Sequence, residues 1–166
     1  MIHPLRFGLG LAGVIFVADQ LTKWGMMEFV MSPPTVIPVT SFFNLVVAWN
    51  RGVSFGMFDS DSPYSSWILS AIAIIIVGFM VRWLCKVTVQ HQAAAIGMII
   101  GGALGNVLDR IIHGAVYDFL DFHVAGYHWP AFNVADSAIC VGAVILVLDS
   151  LFAKSENTDN GNTSET

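Results

Sequence analysis

Acidic side chains are the groups in this sequence best placed to do chemistry. Asp118 lies in a run that alternates apolar and acidic residues, and Asp136 lies at the start of a later apolar segment. If the fold brings these two carboxyls into contact, they cannot both ionise easily, so the pair holds one proton near neutral pH. One carboxyl can then deprotonate water while the other protonates a carbonyl oxygen. The pair therefore predicts peptide hydrolysis without a metal or a nucleophilic side chain.

The composition indicates that these acids belong to a membrane protein. Of the 166 residues, 55% are hydrophobic and only 11% are charged, and the mean hydropathy is +0.70. An average soluble domain has roughly 25% charged residues, so this chain has too few charges for a solvated surface. Its length suits a single domain. Lys and Arg together number 7 and form no cluster, which excludes nucleic acid as a partner.

Four segments are apolar and close to the roughly 20 residues that a helix needs to span a bilayer. They run from Leu5 to Met27, from Trp67 to Leu84, from Ala93 to Leu108 and from Phe132 to Phe152. The two long connections between them contain strand-like patterns at residues 35–40, 42–49 and 116–122. The sequence therefore predicts an all-α membrane protein with four transmembrane helices and a small extracytoplasmic β-sheet cradle formed by the two long loops.

Four spans place both termini and the short loop on one side of the membrane and both long loops on the other. The first side carries Arg6, Arg82, Lys86 and Lys154, and the second carries Lys23, Arg51 and Arg110. Positive charge marks the cytoplasmic side, so we expect cytoplasmic termini, most securely if the second set serves a site. Residues 1–153 then form one membrane domain, and the polar residues 154–166 form a disordered tail.

Polar residues inside the apolar segments occur in pairs that share one helix face. An ionisable side chain at membrane depth costs a few kcal/mol or more, so it usually faces a partner or a site. Asp19 and Lys23, one helical turn apart, predict an ion pair. The other pairs are Asn106 with Arg110 and Asn133 with Asp136. In addition, Gly97, Gly101 and Gly105 predict a face that another helix approaches closely.

A metal-dependent protease is one alternative to hydrolysis by paired acids. His113, His123 and His128 lie near Asp118 and Asp121 in the sequence. The chain has no His-Glu-x-x-His motif and no closely spaced histidine pair, however. Interfacial or solvent-facing positions therefore explain these histidines better than metal binding does.

An ion pathway is a second alternative, and it needs no catalysis. Asp19, Asp136 and Asp149 are acids within apolar segments and could carry protons. A pathway would distribute polar residues along the whole membrane depth, whereas here all of them except Asp149 gather at one end of the spans. That distribution favours an active site at the membrane edge.

Five polar blocks, read in order, resemble the bacterial lipoprotein signal peptidase family, also called signal peptidase II. The resemblance covers the chain from about Arg6 to Leu151. The blocks are Asp19-Gln20-x-x-Lys23, Asn50-Arg51-Gly52-Val53-Ser54-Phe55-Gly56, Gly101-Gly102-Ala103-Leu104-Gly105-Asn106-x-x-Asp109-Arg110, Gly114-Ala115-Val116-Tyr117-Asp118-Phe119 and Phe132-Asn133-Val134-Ala135-Asp136-Ser137. Any one block is a weak signal, but five in this order with four spans are specific.

The resemblance implies a role for each residue in these blocks. The catalytic pair would be Asp118 and Asp136, with no metal and no cofactor. Substrate-binding residues would be Asn50, Arg51, Gly52, Asn106, Arg110 and Asn133, and supporting residues would be Asp19, Gln20, Lys23 and Asp109. Arg51 and Arg110 are candidates to contact peptide carbonyls or lipid head groups.

The resemblance also implies a substrate and a location. Members of the family are aspartic endopeptidases of the bacterial inner membrane, with the active site at the extracytoplasmic face. They remove the signal peptide from diacylglyceryl-modified prolipoproteins by cutting before the lipidated cysteine. The implied partners are these diacylated precursors, membrane lipids and globomycin-type inhibitors, and we expect a monomer.

Overall fold

Four long helices and one small sheet make up the described part of the chain. A computed structural model of the protein describes residues 3–52 and 64–161. The helices are α1, Pro4–Gly25; α2, Ser65–Leu84; α3, Gln90–His113; and α4, Val134–Gly161. A π-helix, Met26–Val30, continues α1. Four helical stretches in these ranges are long and apolar enough to cross a membrane, as predicted.

Helix α3 lies at the centre of the bundle and contacts each of the other three helices. Its glycines allow this because they leave room for neighbouring backbones. A Cβ atom at Gly97 would overlap the carbonyl of Gly8, and one at Gly101 would overlap the carbonyl of Ala12, both on α1. On another face of α3, a Cβ atom at Gly102 would overlap an α4 carbonyl. The predicted close approach of helices at the small-residue face is therefore confirmed.

The third helix is longer than the apolar run that predicted it. It begins at Gln90 instead of Ala93, and it ends at His113 instead of Leu108. The added carboxyl-terminal turn begins with two charged residues, but Asp109 pairs with Lys23 and Arg110 donates to a backbone oxygen of the helix, so the helix continues through them. It stops at Gly114, whose φ of 71° is left-handed and favours glycine.

The fourth helix also continues beyond the predicted span. Its backbone is helical through Gly161, whereas the apolar segment was expected to end at Phe152. The division into a membrane domain, residues 1–153, and a polar tail, residues 154–166, stays a prediction.

The two long connections pair with each other in one antiparallel sheet. Strands β1, Ile37–Thr40, and β2, Phe43–Asn50, come from the first connection, and β3, Val116–Val124, and β4, Tyr127–His128, come from the second. The strand order is β1-β2-β3-β4. The predicted sheet built from both loops is thus confirmed, and its β2–β3 register sets Ala48 opposite Asp118.

Candidate active site

The paired strands β2 and β3 bring Asn50 next to Asp118. Asp118 is buried on β3, with only 2% of its surface exposed. Asn50 ends β2, and its Nδ2 donates to Oδ2 of Asp118 at 3.2 Å. The Oδ1 atom of Asn50 in turn accepts a hydrogen bond from the backbone N–H of Gly52 at 3.2 Å. The turn after β2 therefore orients the Asn50 amide so that its nitrogen, and not its oxygen, meets the carboxyl.

The amino-terminal end of α4 positions Asp136. The residue before the helix is Asn133, and its Oδ1 accepts from the backbone N–H of Asp136 at 2.9 Å. In return, Oδ2 of Asp136 accepts from the backbone N–H of Asn133 at 3.3 Å. This reciprocal pair is a capping box, in which two side chains satisfy backbone donors at a helix start. The cap that begins α4 thereby also orients one of the two candidate catalytic acids.

Two amide side chains connect Asp118 with Asp136. The Nδ2 atom of Asn133, which is fully buried, donates to Oδ1 of Asp118 at 2.7 Å. The Nδ2 atom of Asn106 donates to Oδ1 of Asp136, also at 2.7 Å. The two amides also contact each other, because Asn133 Nδ2 lies 3.2 Å from Asn106 Oδ1. The two acids from separate elements thus share one hydrogen-bonded network.

Burial is the main cause of an unusual pKa at Asp118. Loss of solvent raises the pKa of this carboxyl, and the nearby charge of Asp136 raises it further. The hydrogen bonds from Asn50 and Asn133 favour the ionised form but do not outweigh these effects, so the pKa of Asp118 is about 7. A carboxyl with this pKa can both hold and release a proton at physiological pH.

A second buried cluster lies directly beside this network and is centred on Lys23. This side chain is 2% exposed. Its Nζ lies 2.8 Å from Oδ2 of Asp19 and 2.7 Å from Oδ2 of Asp109. A third contact, at 3.2 Å, is to Oδ1 of Asn106. An ammonium group has three donors, and here each of them has an acceptor, so the predicted Asp19–Lys23 ion pair is confirmed and extended.

The Lys23 cluster joins α1, α3 and α4. Gln20 donates to carboxyl oxygens of Asp19 at 3.1 Å and of Asp109 at 3.0 Å. The other Asp19 oxygen accepts from the backbone N–H of Ala135 at 2.9 Å, in the first turn of α4. Gly105 makes room for this arrangement, because a Cβ atom there would overlap a carboxyl oxygen of Asp19. The cluster therefore holds the start of α4 against α1 and α3.

Arg110 lies one turn beyond Asn106 and close enough to Asp136 and Asp118 to interact with them electrostatically. Its Nη1 donates to the backbone oxygen of Asn106 at 3.3 Å. Its buried Nε has no hydrogen-bond partner among the described residues. An unpaired buried donor is costly, so this atom is free to bind a group that enters the site.

Comparison with known proteins identifies the family. The family model described as signal peptidase (SPase) II matches residues 11–152 of this chain. The chain belongs to the signal peptidase II family.

Individual relatives agree with this family assignment. The chain is 44% identical to the lipoprotein signal peptidase of Ralstonia nicotianae over 154 residues, which cover 90% of this chain and 86% of that protein. It is also 44% identical to the lipoprotein signal peptidase of Pseudoalteromonas atlantica over 160 residues, covering 95% and 94%. The family and the peptidase activity predicted from the five blocks are therefore confirmed.

A solved structure has the same fold. It is a bacterial membrane enzyme determined by the in meso method at 2.3 Å resolution, and it is 28% identical to this chain. The two structures superpose with a TM-score of 0.76, covering 96% of this chain and 92% of the other. This similarity extends over the helices and the sheet together.

Most of the residues expected in a signal peptidase II site lie in the two connected clusters. Arg51 is different, because it is exposed in a separate cleft of about 240 Å³ that is also lined by Trp49, His113 and Ala115. The rest of the second block, residues 53–56, lies outside the described residues. Sequence reasoning did not foresee this position for Arg51, since its neighbours in the sequence give no sign of which way the turn after β2 directs it.

One of the three histidines lies apart from the other two. His113 packs against Trp49, with 5.4 Å between ring centroids. The rings of His123 and His128 stack at 4.9 Å on β3 and β4. Within the described ranges, 3–52 and 64–161, no group of three or more His, Cys, Asp or Glu residues is arranged to hold a metal ion.

Asp121 is a polar residue whose partners were not predicted. Nδ1 of His128 lies 2.8 Å from its carboxyl, and Asn44 donates to it at 2.8 Å. Burial raises the pKa of Asp121, but the contacts with His128 and Asn44 outweigh burial and hold it below its usual value. Asp121 therefore differs from Asp118, because its pKa is lowered whereas that of Asp118 is raised.

Proposed function

We propose that this chain is an aspartic endopeptidase that cleaves diacylglyceryl-modified prolipoproteins immediately before the lipidated cysteine, with Asp118 and Asp136 as the catalytic pair. The observation that carries the proposal is the amide-linked pair of acids, one of which has a pKa of about 7. Aspartic peptidases need one proton shared between two carboxyls. A raised pKa on one member of the pair supplies that state at neutral pH.

The proposed reaction begins with a water molecule bound between the two acids. Asp136 takes a proton from this water as its oxygen attacks the scissile carbonyl carbon, and Asp118 gives its proton to the carbonyl oxygen. The resulting tetrahedral intermediate collapses when the C–N bond breaks. Asp136 then returns its proton to the leaving nitrogen, and Asp118 recovers a proton from the intermediate. The pair ends with the single proton with which it began.

Three amide side chains are proposed to keep the acids in position. Asn50 and Asn133 donate to the two oxygens of Asp118, and Asn106 donates to Asp136. Acids held in this way need little rearrangement as charge develops in the transition state. Arg110 is proposed to bind a carbonyl of the substrate main chain through its unpaired Nε, and Gly52 positions Asn50 through its backbone N–H.

The substrate is proposed to enter sideways from the lipid. An apolar groove of about 420 Å³ is lined by residues of α2, α3 and α4, among them Trp83, Ile99 and Val147. A signal peptide is an apolar helix, so it can lie along this surface without exposing backbone groups to lipid. Only the scissile segment would have to unfold at the polar site.

We propose that the termini are cytoplasmic and that the sheet and the active site are extracytoplasmic, in the bacterial inner membrane. Two of the three basic residues on the sheet side have site duties, since Lys23 is buried in an ion cluster and Arg110 adjoins the acids. The remaining basic residues then favour cytoplasmic termini under the positive-inside rule. We also propose that the protein acts as a monomer, because the catalytic pair and the amides that hold it form one network within a single chain and need no residue from a second copy.

The decisive experiment uses detergent-solubilised protein and a peptide that spans the cleavage site. We expect cleavage when the cysteine is diacylated and little cleavage when it is not, because each buried CH₂ of an acyl chain contributes about 0.8 kcal/mol to partitioning. A globomycin-type inhibitor should block the reaction, and a metal chelator should leave it unchanged. Equal cleavage of both peptides would contradict the proposed substrate, and loss of activity with chelator would contradict the proposed mechanism.

A further inference from the structure

The cleft around Arg51 lies between the end of β2 and the end of α3. It is lined by Trp49 from β2, Arg51 from the turn that follows, His113 from the end of α3 and Ala115 from the connection to β3, and its volume is about 240 Å³. Arg51 and His113 are both exposed. Neither has a hydrogen-bond or ion-pair partner in the described part of the chain. The cleft therefore offers hydrogen-bond donors and positive charge that the protein itself does not use.

The end of α3 indicates the depth of this cleft relative to the membrane. His113 is the last residue of α3, and the two residues before it, Ile111 and Ile112, are 53% and 60% exposed. Such apolar side chains on a membrane-spanning helix face lipid. Basic and aromatic side chains at the end of such a helix lie at the level of the lipid head groups. Trp49, which is 45% exposed and packs against His113, fits the same level.

We propose that this cleft binds the phosphate group of an anionic phospholipid. The planar guanidinium of Arg51 can donate two parallel hydrogen bonds to phosphate oxygens. The imidazole of His113 can donate a third, and the exposed indole of Trp49 can cover the glycerol region of the lipid. The shape and the polar lining suit a head group at the membrane edge better than a peptide main chain, whose binding site lies at the acids.

A lipid in this cleft would act on the active site through a single turn. Arg51 lies between Asn50 and Gly52, which are joined by the hydrogen bond from the Gly52 N–H to Asn50 Oδ1. Asn50 Nδ2 in turn donates to Asp118. A phosphate held by Arg51 would restrain this turn and keep Asn50 on the catalytic acid, which makes Arg51 a positioning residue. This consequence rests on the proposed function, whereas the binding itself does not.

The binding test uses purified protein in detergent and two lipids with identical acyl chains, phosphatidylglycerol and phosphatidylcholine. Native mass spectrometry counts bound lipids, and thermal unfolding reports their stabilising effect. We expect phosphatidylglycerol to bind more tightly, and R51Q and H113Q to weaken it, by about fivefold for the lost arginine charge. Added salt should reduce the difference between the two lipids.

A matched control comes from the opposite end of the bundle. Arg82 and Lys86 line another cleft with Phe79 and Trp83, so anionic lipid is expected to bind there as well. The double variant R82Q/K86Q should lose that second lipid and keep the one that R51Q removes. The binding measurements are repeated in D118N, which separates lipid binding from cleavage. The lipid assignment can then be judged even if the catalytic proposal fails.

Three results would overturn the lipid assignment. The first is equal binding of the two lipids by the unmodified protein, and the second is undiminished phosphatidylglycerol binding in the double variant R51Q/H113Q. The third is the same stabilisation by inorganic phosphate alone, which would indicate an anion site without a role for lipid. In the cleavage assay, anionic lipid should raise the kcat of the unmodified protein severalfold and leave its KM nearly unchanged. It should change neither constant in R51Q.

Discussion

Two groups of acids lie side by side in this protein, and their partners differ. Asp19 and Asp109 share the ammonium group of Lys23, at 2.8 and 2.7 Å. Asp118 and Asp136 receive hydrogen bonds from amide groups, and the charge of one acts on the other. Asp136 is half-buried and the other three acids are buried, yet within the described residues only the first group has a positive charge in direct contact with its carboxyls.

The difference in partners fits a structural role for the first group of acids and the proposed catalytic role for the second. A buried charge is tolerated when an opposite charge and hydrogen bonds compensate it. The Lys23 cluster meets this condition, and its side chains join three helices. Amides orient the other pair but carry no charge to neutralise it, and this is the basis for the proposal that the pair shares one proton. The fold thus places the charge-compensated Lys23 cluster next to a pair of acids that is held by amides, with Asn106 in contact with both groups.

Removing either acid of the proposed catalytic pair should have the largest effect. D118N and D136N are each expected to lower the cleavage rate of a diacylated precursor by about 10³-fold or more, because general acid–base catalysis contributes about 10²–10⁴-fold and both roles depend on the pair. The rate is measured with purified protein in detergent. Thermal unfolding and circular dichroism should remain close to those of the unmodified protein.

Replacing a basic residue far from the pair supplies the control for this prediction. R82Q, at the other end of the bundle, should cleave normally in the same assay. Near-normal turnover by D118N or D136N would remove the catalytic pair from the proposal.

Breaking the compensated cluster should affect stability more than chemistry. K23M leaves Asp19 and Asp109 buried without their cation, which is expected to cost about 3–5 kcal/mol of unfolding free energy. The measurement is denaturant unfolding in detergent, followed by circular dichroism. Cleavage by the protein that remains folded should fall less than in D118N, because Lys23 does not touch the substrate.

A second substitution tests whether charge is the cause. K23M/D109N removes one of the two acids that K23M leaves without a cation, so it should recover part of the lost stability. If the double variant were less stable than the unmodified protein by the sum of the losses measured in K23M and in D109N, the interaction between Lys23 and Asp109 would be too weak to support the comparison.

The sequence predicts the architecture better than it predicts the connections within the site. Four apolar runs and two strand-like loops are local patterns, and the helices and the sheet follow them closely. The Asp19–Lys23 pair is also local, since one helical turn separates its members. The contact of Gln20 with Asp109 and that of Asp19 with Ala135 join residues far apart in the chain, and no periodicity contains such information.

The ends of elements were the least predictable feature. Hydropathy ends the third span at Leu108, but the helix continues to His113 because Asp109 is paired with Lys23 and Arg110 faces the acids. A polar residue ends an apolar run whether it is exposed or compensated, so the sequence alone cannot distinguish the two. The same limit concealed the separate position of Arg51.

A glycine substitution distinguishes the space that the Lys23 cluster needs from helix propensity. In G105A the new methyl group would overlap a carboxyl oxygen of Asp19, and overpacking of this kind costs about 1–3 kcal/mol. G13A, also in a helix, meets nothing within 4 Å and should gain up to about 1 kcal/mol from helix propensity. Thermal unfolding of the two variants in the same detergent gives the comparison, and equal stability would mean that Asp19 can move aside.

The pH dependence of the cleavage rate should distinguish the two groups of acids by its direction. The pKa of Asp118 is about 7 in the folded protein, against 3.8 for an ordinary aspartate. If its proton is needed to protonate the scissile carbonyl, the cleavage rate should fall about tenfold for each pH unit above about 7. Titrations of kcat in the unmodified protein and in K23M should both show this decline, and in K23M it should begin at a higher pH, because the charge of Lys23 lowers the pKa of Asp118.

Stability should respond to the same proton. A folded-state pKa above the unfolded value means that the folded protein binds more protons, so the contribution of Asp118 is fully present below about pH 4 and is lost as the pH rises toward about 7. In D118N the titrating group is gone, and this part of the slope of unfolding free energy against pH should disappear. In K23M it should persist, so a slope that vanishes in K23M and remains in D118N would assign the proton to the wrong pair of acids.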